Sequence, residues 1–112
     1  MRQLAHLGDA VFHLFERERE IAKNSSASQM HKRARVAAMQ QAKLLSQLEP
    51  ILSAKELELT RRARNTKTSG FKKVDQATYR QATAFEALLG FLYLTDIKRL
   101  REILTISLSL EC

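Results

Sequence analysis

The chain reads as all-α, and three features of its composition and patterning predict that class. Across 112 residues it carries only three Gly, one Pro and 6% aromatics, while Ala, Leu, Arg, Lys, Glu and Gln, which lose least on entering a helix, are abundant. Its apolar residues recur mostly at helical spacing. Capping residues stand where several of those stretches begin. The length suits a single domain over residues 1–112, and a hydrophobic fraction of 45% is enough for one core.

The elements follow in order. Residues 2–22 form a first predicted helix, with Leu4, Leu7, Val11, Leu14 and Phe15 on one side and Arg2, His6, Asp9, His13 and Glu16 on the other. Asn24 to Ser28 breaks that pattern and offers N-caps for a second helix over 29–47, where Val36, Met39, Leu44 and Leu45 are available for burial. Pro50 interrupts it or opens a short helical piece. Ser53 and Glu56 have capping-box spacing and start a third helix running to about Arg64. A loop follows over 65–74, and Asp75 is the natural N-cap for a helix over 76–94. Asp96 caps a last helix through Leu110, although Thr105 to Leu110 also alternates with period two and is a weaker helix.

The formal net charge is +7 and the isoelectric point about 10.0. That excess points to a nucleic acid or an anionic surface as partner. One cysteine, Cys112, cannot make an intrachain disulfide, which fits a reducing compartment, and one Cys with three His cannot build a zinc finger. No apolar run reaches the length of a membrane span. A cytoplasmic location without membrane attachment is the expectation.

Two carboxylates carry the chemistry. Glu86 sits within Ala82-Thr-Ala-Phe-Glu-Ala-Leu-Leu-Gly90, a stretch of apolar and small residues where an unpaired acid is costly to desolvate. Asp9 has a matching setting in Leu7-Gly-Asp-Ala-Val11. Gly90 lies one turn beyond Glu86, and Gly8 and Ala5 lie beside Asp9, so helices crossing at these small residues would bring the two acids face to face. Such a pair holds a hard divalent cation, with water and a substrate phosphate completing the shell. The bland alternative is that both acids are solvated surface groups. His6, Asp9 and His13 also have the spacing of a transition-metal stripe on one helix face, or of ordinary polar-face residues.

A basic segment adds a binding surface. Arg61, Arg64, Asn65 and Lys67, followed by Lys72 and Lys73, place cations at a helix end and in the loop beyond it. Arg forks clamp phosphates, Asn65 can bond a ribose or base edge, and Lys adds unspecific attraction. Without interleaved aromatics, contact with the phosphates and 2′-hydroxyls of a duplex fits better than single-strand stacking. The alternative is a helix end that favours cations through its dipole.

At Leu4-Ala-His-Leu-Gly-Asp-Ala-Val11, Arg61-Arg-Ala-Arg-Asn-Thr-Lys67 and Asp75 through Leu94 the sequence resembles the ribonuclease III catalytic domain, most closely its short group, the Mini-ribonucleases III. The resemblance covers nearly the whole chain, and its last piece is long and specific. It implies a dimeric all-helical domain that cuts double-stranded RNA with Mg²⁺, Mn²⁺ being able to substitute, each protomer supplying one active site. Asp9 and Glu86 match the family's metal-binding Asp and Glu. Maturation of precursor ribosomal RNA of the large subunit is the substrate class the short group implies. Longer members carry further carboxylates where this chain has Ala5 and Thr83, so fewer protein ligands and more water are expected around the metal. His13 stands where relatives often have Glu, and Ala63 where a Gly is frequent.

The sequence therefore predicts a homodimeric, metal-dependent endoribonuclease. Two other readings stand beside it: a module with the same fold that binds duplex RNA without cutting it, and a helical protein–protein adaptor whose charge is incidental.

Overall fold

A computed structural model of the chain describes residues 1–22, 37–66 and 76–110. Among these, five α-helices and one 3₁₀ turn account for the regular structure, and no strand is present. They are α1 (Arg2–Ala22), α2 (Ala37–Leu48), the turn Glu49–Ile51, α3 (Ala54–Arg64), α4 (Gln76–Thr95) and α5 (Ile97–Leu110). The predicted start of the second helix at 29–36, with Val36, lies outside the described residues, as does Asp75.

Helix α4 is the axis of the fold, because each of the other four helices packs against it. Its sequence explains that position. Ala82, Ala84, Phe85, Ala87, Leu88, Leu89, Gly90 and Leu92 are all buried, so its central turns are apolar or small nearly all round, the pattern of a helix enclosed by neighbours. The neighbours close over it with Leu44, Leu45 and Leu48 from α2, Leu59 and Ala63 from α3, and Ile103 and Leu104 from α5. On the α1 side, Phe12 meets Phe85 edge to face, with centroids 5.5 Å apart and planes at 83°, a geometry that aligns one ring's positive edge with the other's negative face.

The ends of these helices are set locally. Glu56 N donates to Ser53 Oγ at 3.1 Å and Ser53 N to Glu56 Oε1 at 2.8 Å, completing the predicted capping box. Pro50 falls at the start of the 3₁₀ turn, where its missing N–H is not needed. Asp96 accepts from Arg99 N at 3.0 Å, starting α5 as expected. That helix runs to Leu110. Its buried residues Leu100, Ile103, Leu104 and Ser107 follow helical spacing, so the alternation in its tail is coincidental.

Two expected core residues are not in the core. Leu14 is 58% and Met39 65% exposed; at helical spacing Met39 falls on the face opposite Leu44, Leu45 and Leu48 and borders a surface cleft instead. Conversely Glu56 is buried. Arg99 grips it through Nε to Oε2 at 2.8 Å and Nη2 to Oε1 at 2.9 Å, and also donates to Ile51 O at 3.1 Å and Glu102 Oε1 at 3.1 Å. One guanidinium thus ties the 3₁₀ turn, the start of α3 and α5 together.

Candidate active site

The site begins with two glycines. Helices α1 and α4 cross so closely at Gly8 and Gly90 that a side-chain carbon on Gly8 would overlap the carbonyl of Glu86. One on Gly90 would overlap the carbonyl of Leu4. Backbone therefore rests on backbone, and the residues beside these contacts are drawn together. Asp9 on α1 and Glu86 on α4 come within hydrogen-bonding reach of each other as a result. They share a solvent-open pocket of about 430 Å³ with Arg2, Ala5, His6, Tyr79 and Thr83. That is many times the space one water needs, so the pocket can hold a small ligand together with water.

The two acids differ in setting. The Asp9 side chain is half exposed, and His13 Nε2 lies 3.2 Å from its Oδ1. Glu86 is more deeply set. Burial pushes its carboxyl up to about 9, reinforced by the hydrogen bond and negative charge of Asp9 and opposed by Gln41. In the absence of a cation Glu86 thus keeps its proton at neutral pH, because a second negative charge there would be poorly solvated and repelled. Thr83 commits its hydroxyl proton to Tyr79 O at 2.9 Å, the backbone carbonyl one turn back.

This arrangement fits a hard divalent ion. Two carboxylates share one cavity, and a double positive charge between them would remove the strain of ionising both. Among the described residues no group of three or more His, Cys, Asp and Glu is placed to hold a metal. Water and other non-protein oxygens would therefore fill most of the coordination shell of an ion held there.

The basic residues take other places. Arg61 is exposed on α3 and forked onto Glu58, with Nε–Oε1 at 3.0 Å and Nη2–Oε2 at 2.6 Å. Arg64 is half-buried, reaching Glu49 at 3.3 Å and Gln81 at 3.2 Å, while Gln81 donates to Ser46 at 3.1 Å. Arg64 and Asn65 line a second cleft with Lys43, Ser46, Arg80 and Gln81. That cleft shares no lining residue with the carboxylate pocket, although residues of α4 line both. Lys67, Lys72 and Lys73 lie outside the described residues.

Residues 2–96 match the family model described as the Ribonuclease III domain. The chain belongs to the ribonuclease III family. Its relatives place it with the Mini-ribonuclease 3 group. The protein of that name from Synechocystis is 42% identical over 105 residues, covering 92% of this chain and 73% of the relative. Its namesake from Gloeobacter violaceus is 44% identical, covering 93% and 78%. That from Brevibacillus brevis is 46% identical over 96 residues, covering 82% and 72%. Among solved structures, the X-ray structure of a protein from Fusobacterium nucleatum superposes with a TM-score of 0.85 at 27% identity, covering 99% of this chain and 93% of that one.

Asp9 and Glu86, the two acids singled out in the sequence, thus meet in one pocket. The site also contains what the sequence reading passed over. Gln41, from α2, reaches the Glu86 carboxyl although nothing in its local motif resembles a ligand set. The signal was available in the spacing, because Gln41 stands in register with Leu44, Leu45 and Leu48 on a stripe that is otherwise leucine.

Proposed function

We infer that the chain is a Mg²⁺-dependent endoribonuclease that cleaves double-stranded RNA, with Mn²⁺ able to substitute. The observation that carries this reading is the meeting of Asp9 and Glu86 in one solvent-open pocket at a glycine-to-glycine helix crossing. Membership of the ribonuclease III family and a net charge of +7 support a polyanionic substrate. Precursor ribosomal RNA of the large subunit is the substrate we assign, and a homodimer with one site per protomer is the assembly.

Asp9 and Glu86 would hold the cation through their oxygens. A divalent cation in such a site activates a water for attack on phosphorus and stabilises the charge that develops on the phosphodiester. The residues do the rest by placement. Asp9, at the mouth, keeps its orientation through His13 and faces the incoming phosphate. Glu86, deeper in the pocket, would have to give up its proton for its carboxylate to hold the cation. Arg2 and His6 line the same pocket and add donors on the side from which RNA enters. Further from the chemistry, Arg61, Arg64 and Asn65, with Lys67, Lys72 and Lys73, would hold phosphates of the duplex flanking the cut.

The test is a labelled RNA duplex incubated with wild type, Asp9→Asn and Glu86→Gln, with and without Mg²⁺. Cleavage that requires Mg²⁺ and falls by at least about 10²-fold in either variant, with duplex binding retained, is the expected result. Wild-type protein that binds the duplex but leaves it intact at every Mg²⁺ concentration would establish the non-cutting module instead.

A further inference from the structure

Behind Glu86 lies a polar group whose position the fold alone does not explain. Gln41 is 1% exposed and stands on α2 among Leu44, Leu45 and Leu48, each 2% exposed or less. A leucine there would extend the stripe at no desolvation cost, whereas a buried amide needs partners. Among the described residues no acceptor completes a well-formed hydrogen bond to its Nε2. Yet its side chain lies within reach of the Glu86 carboxyl. The two facts agree if the bond is long before the site is loaded and tightens afterwards, as hydrogen bonds in catalytic sites commonly do.

We propose that Gln41 is a positioning residue for Glu86: its buried amide N–H donates to one carboxylate oxygen and so turns the other toward Asp9 and the cation between them. The inference rests on the metal reading given above. Three features favour it. The amide is buried and does not line the pocket, so it competes with neither water nor substrate. An amide is neutral, so it orients a carboxylate without adding a positive charge that would oppose the cation, as Lys or Arg at this position would. Helix α2 is held firmly on α4 by its leucines, so the donor is fixed by the core and not by a loop. Groups that orient metal-binding carboxylates in this way typically contribute 10- to 100-fold to metal affinity or activity.

The decisive variant is Gln41→Met, which keeps the length of the side chain and removes the donor. Mn²⁺ binding is measured by calorimetry on wild type, Gln41→Met and Asp9→Asn, alongside thermal melting of each. We expect Gln41→Met to bind Mn²⁺ 10- to 100-fold more weakly, with a melting temperature equal to or above wild type because an unbonded buried amide has been removed. A purely structural glutamine would change the melting temperature and leave Mn²⁺ affinity alone. Wild-type affinity in Gln41→Met overturns the proposal while leaving the metal site standing. Equal binding by wild type and Asp9→Asn overturns the metal site itself and this proposal with it. Should the Met variant not fold, the side-chain NH₂ resonances of Gln41 in the wild-type protein decide. They shift on saturation with Mg²⁺ if the proposal holds, and their constancy while the Glu86 carboxyl resonance moves overturns it.

Discussion

Glu86 is the residue whose chemistry is most exposed to test. Its carboxyl holds a proton up to about pH 9 in the metal-free fold, whereas an unfolded glutamate releases it near 4.5. Between those values the native state binds more protons than the unfolded state, so stability must fall as pH rises. Glu86→Gln removes the difference. Denaturant titrations of metal-free protein from pH 5 to 9 should show a stability decline in wild type that is flattened in Glu86→Gln; parallel curves would contradict the assignment. The same proton must leave when a divalent ion binds. Calorimetry at pH 7 in buffers of differing ionisation heat is expected to find close to one proton released per Mn²⁺ bound, and none would count against a metal on Glu86.

At the scale of elements, the α1–α4 crossing decides where the acids stand. Gly8→Ala gains roughly 1 kcal/mol of helix propensity, but its new carbon would meet the Glu86 carbonyl, a backbone group that cannot turn aside. Overpacking ordinarily costs about 1–3 kcal/mol and more where nothing can yield, so the clash wins. We expect a net loss of more than about 2 kcal/mol in urea unfolding together with loss of Mn²⁺ affinity; an unchanged midpoint would mean the helices do not cross there. The Arg99 hub gives a second element-scale expectation. Arg99→Ala strands the Glu56 carboxylate, of which 8% is exposed, although Arg99 itself is a quarter exposed and water enters in its place. A loss of about 2–4 kcal/mol follows. Because Arg99 and Ser53 hold the Glu56 carboxyl below its usual range, this contribution is present above about pH 4.5. It fades as pH falls through the lowered value, so wild type and Arg99→Ala should converge in acid.

How much of this was legible in the sequence also shows at this scale. The helix bound at Arg64 and the caps at Ser53 and Asp96 follow from local chemistry that the chain states outright, whereas the stretch to Leu110 was ambiguous until its packing was seen. The meeting of Asp9 and Glu86 was legible because small residues flank both, and only small residues allow so close a crossing. What periodicity did not reveal are Gln41 and Glu56. Both are polar, so pattern reading assigns them to solvent, yet each stands in register with a buried stripe and owes its burial to a partner distant in sequence. The division of the basic cluster between an exposed ion pair at Arg61 and a bonded, half-buried Arg64 was equally hidden, since their acidic and amide partners come from other turns and helices.

For the whole molecule, charge and surface remain to be used. Duplex RNA binding should weaken steeply with salt, because phosphate contacts release counterions. Arg61→Ala, exposed and remote from the carboxylate pocket, is expected to reduce the slope of log affinity against log salt by about one without changing helix content; an unchanged slope would remove it from the RNA surface. For the homodimer inferred above, sedimentation should find twice the 12.8 kDa chain mass; a single chain mass would contradict it.

The central claim is that one divalent cation bridges helices α1 and α4 through Asp9 and Glu86, and crystals soaked in Mn²⁺ test it most directly by anomalous diffraction. The expected result is a peak between the two carboxylates, with oxygens from both in its coordination shell and water on its open side. Manganese bound elsewhere, with Asp9 and Glu86 still hydrogen-bonded only to each other, would contradict it.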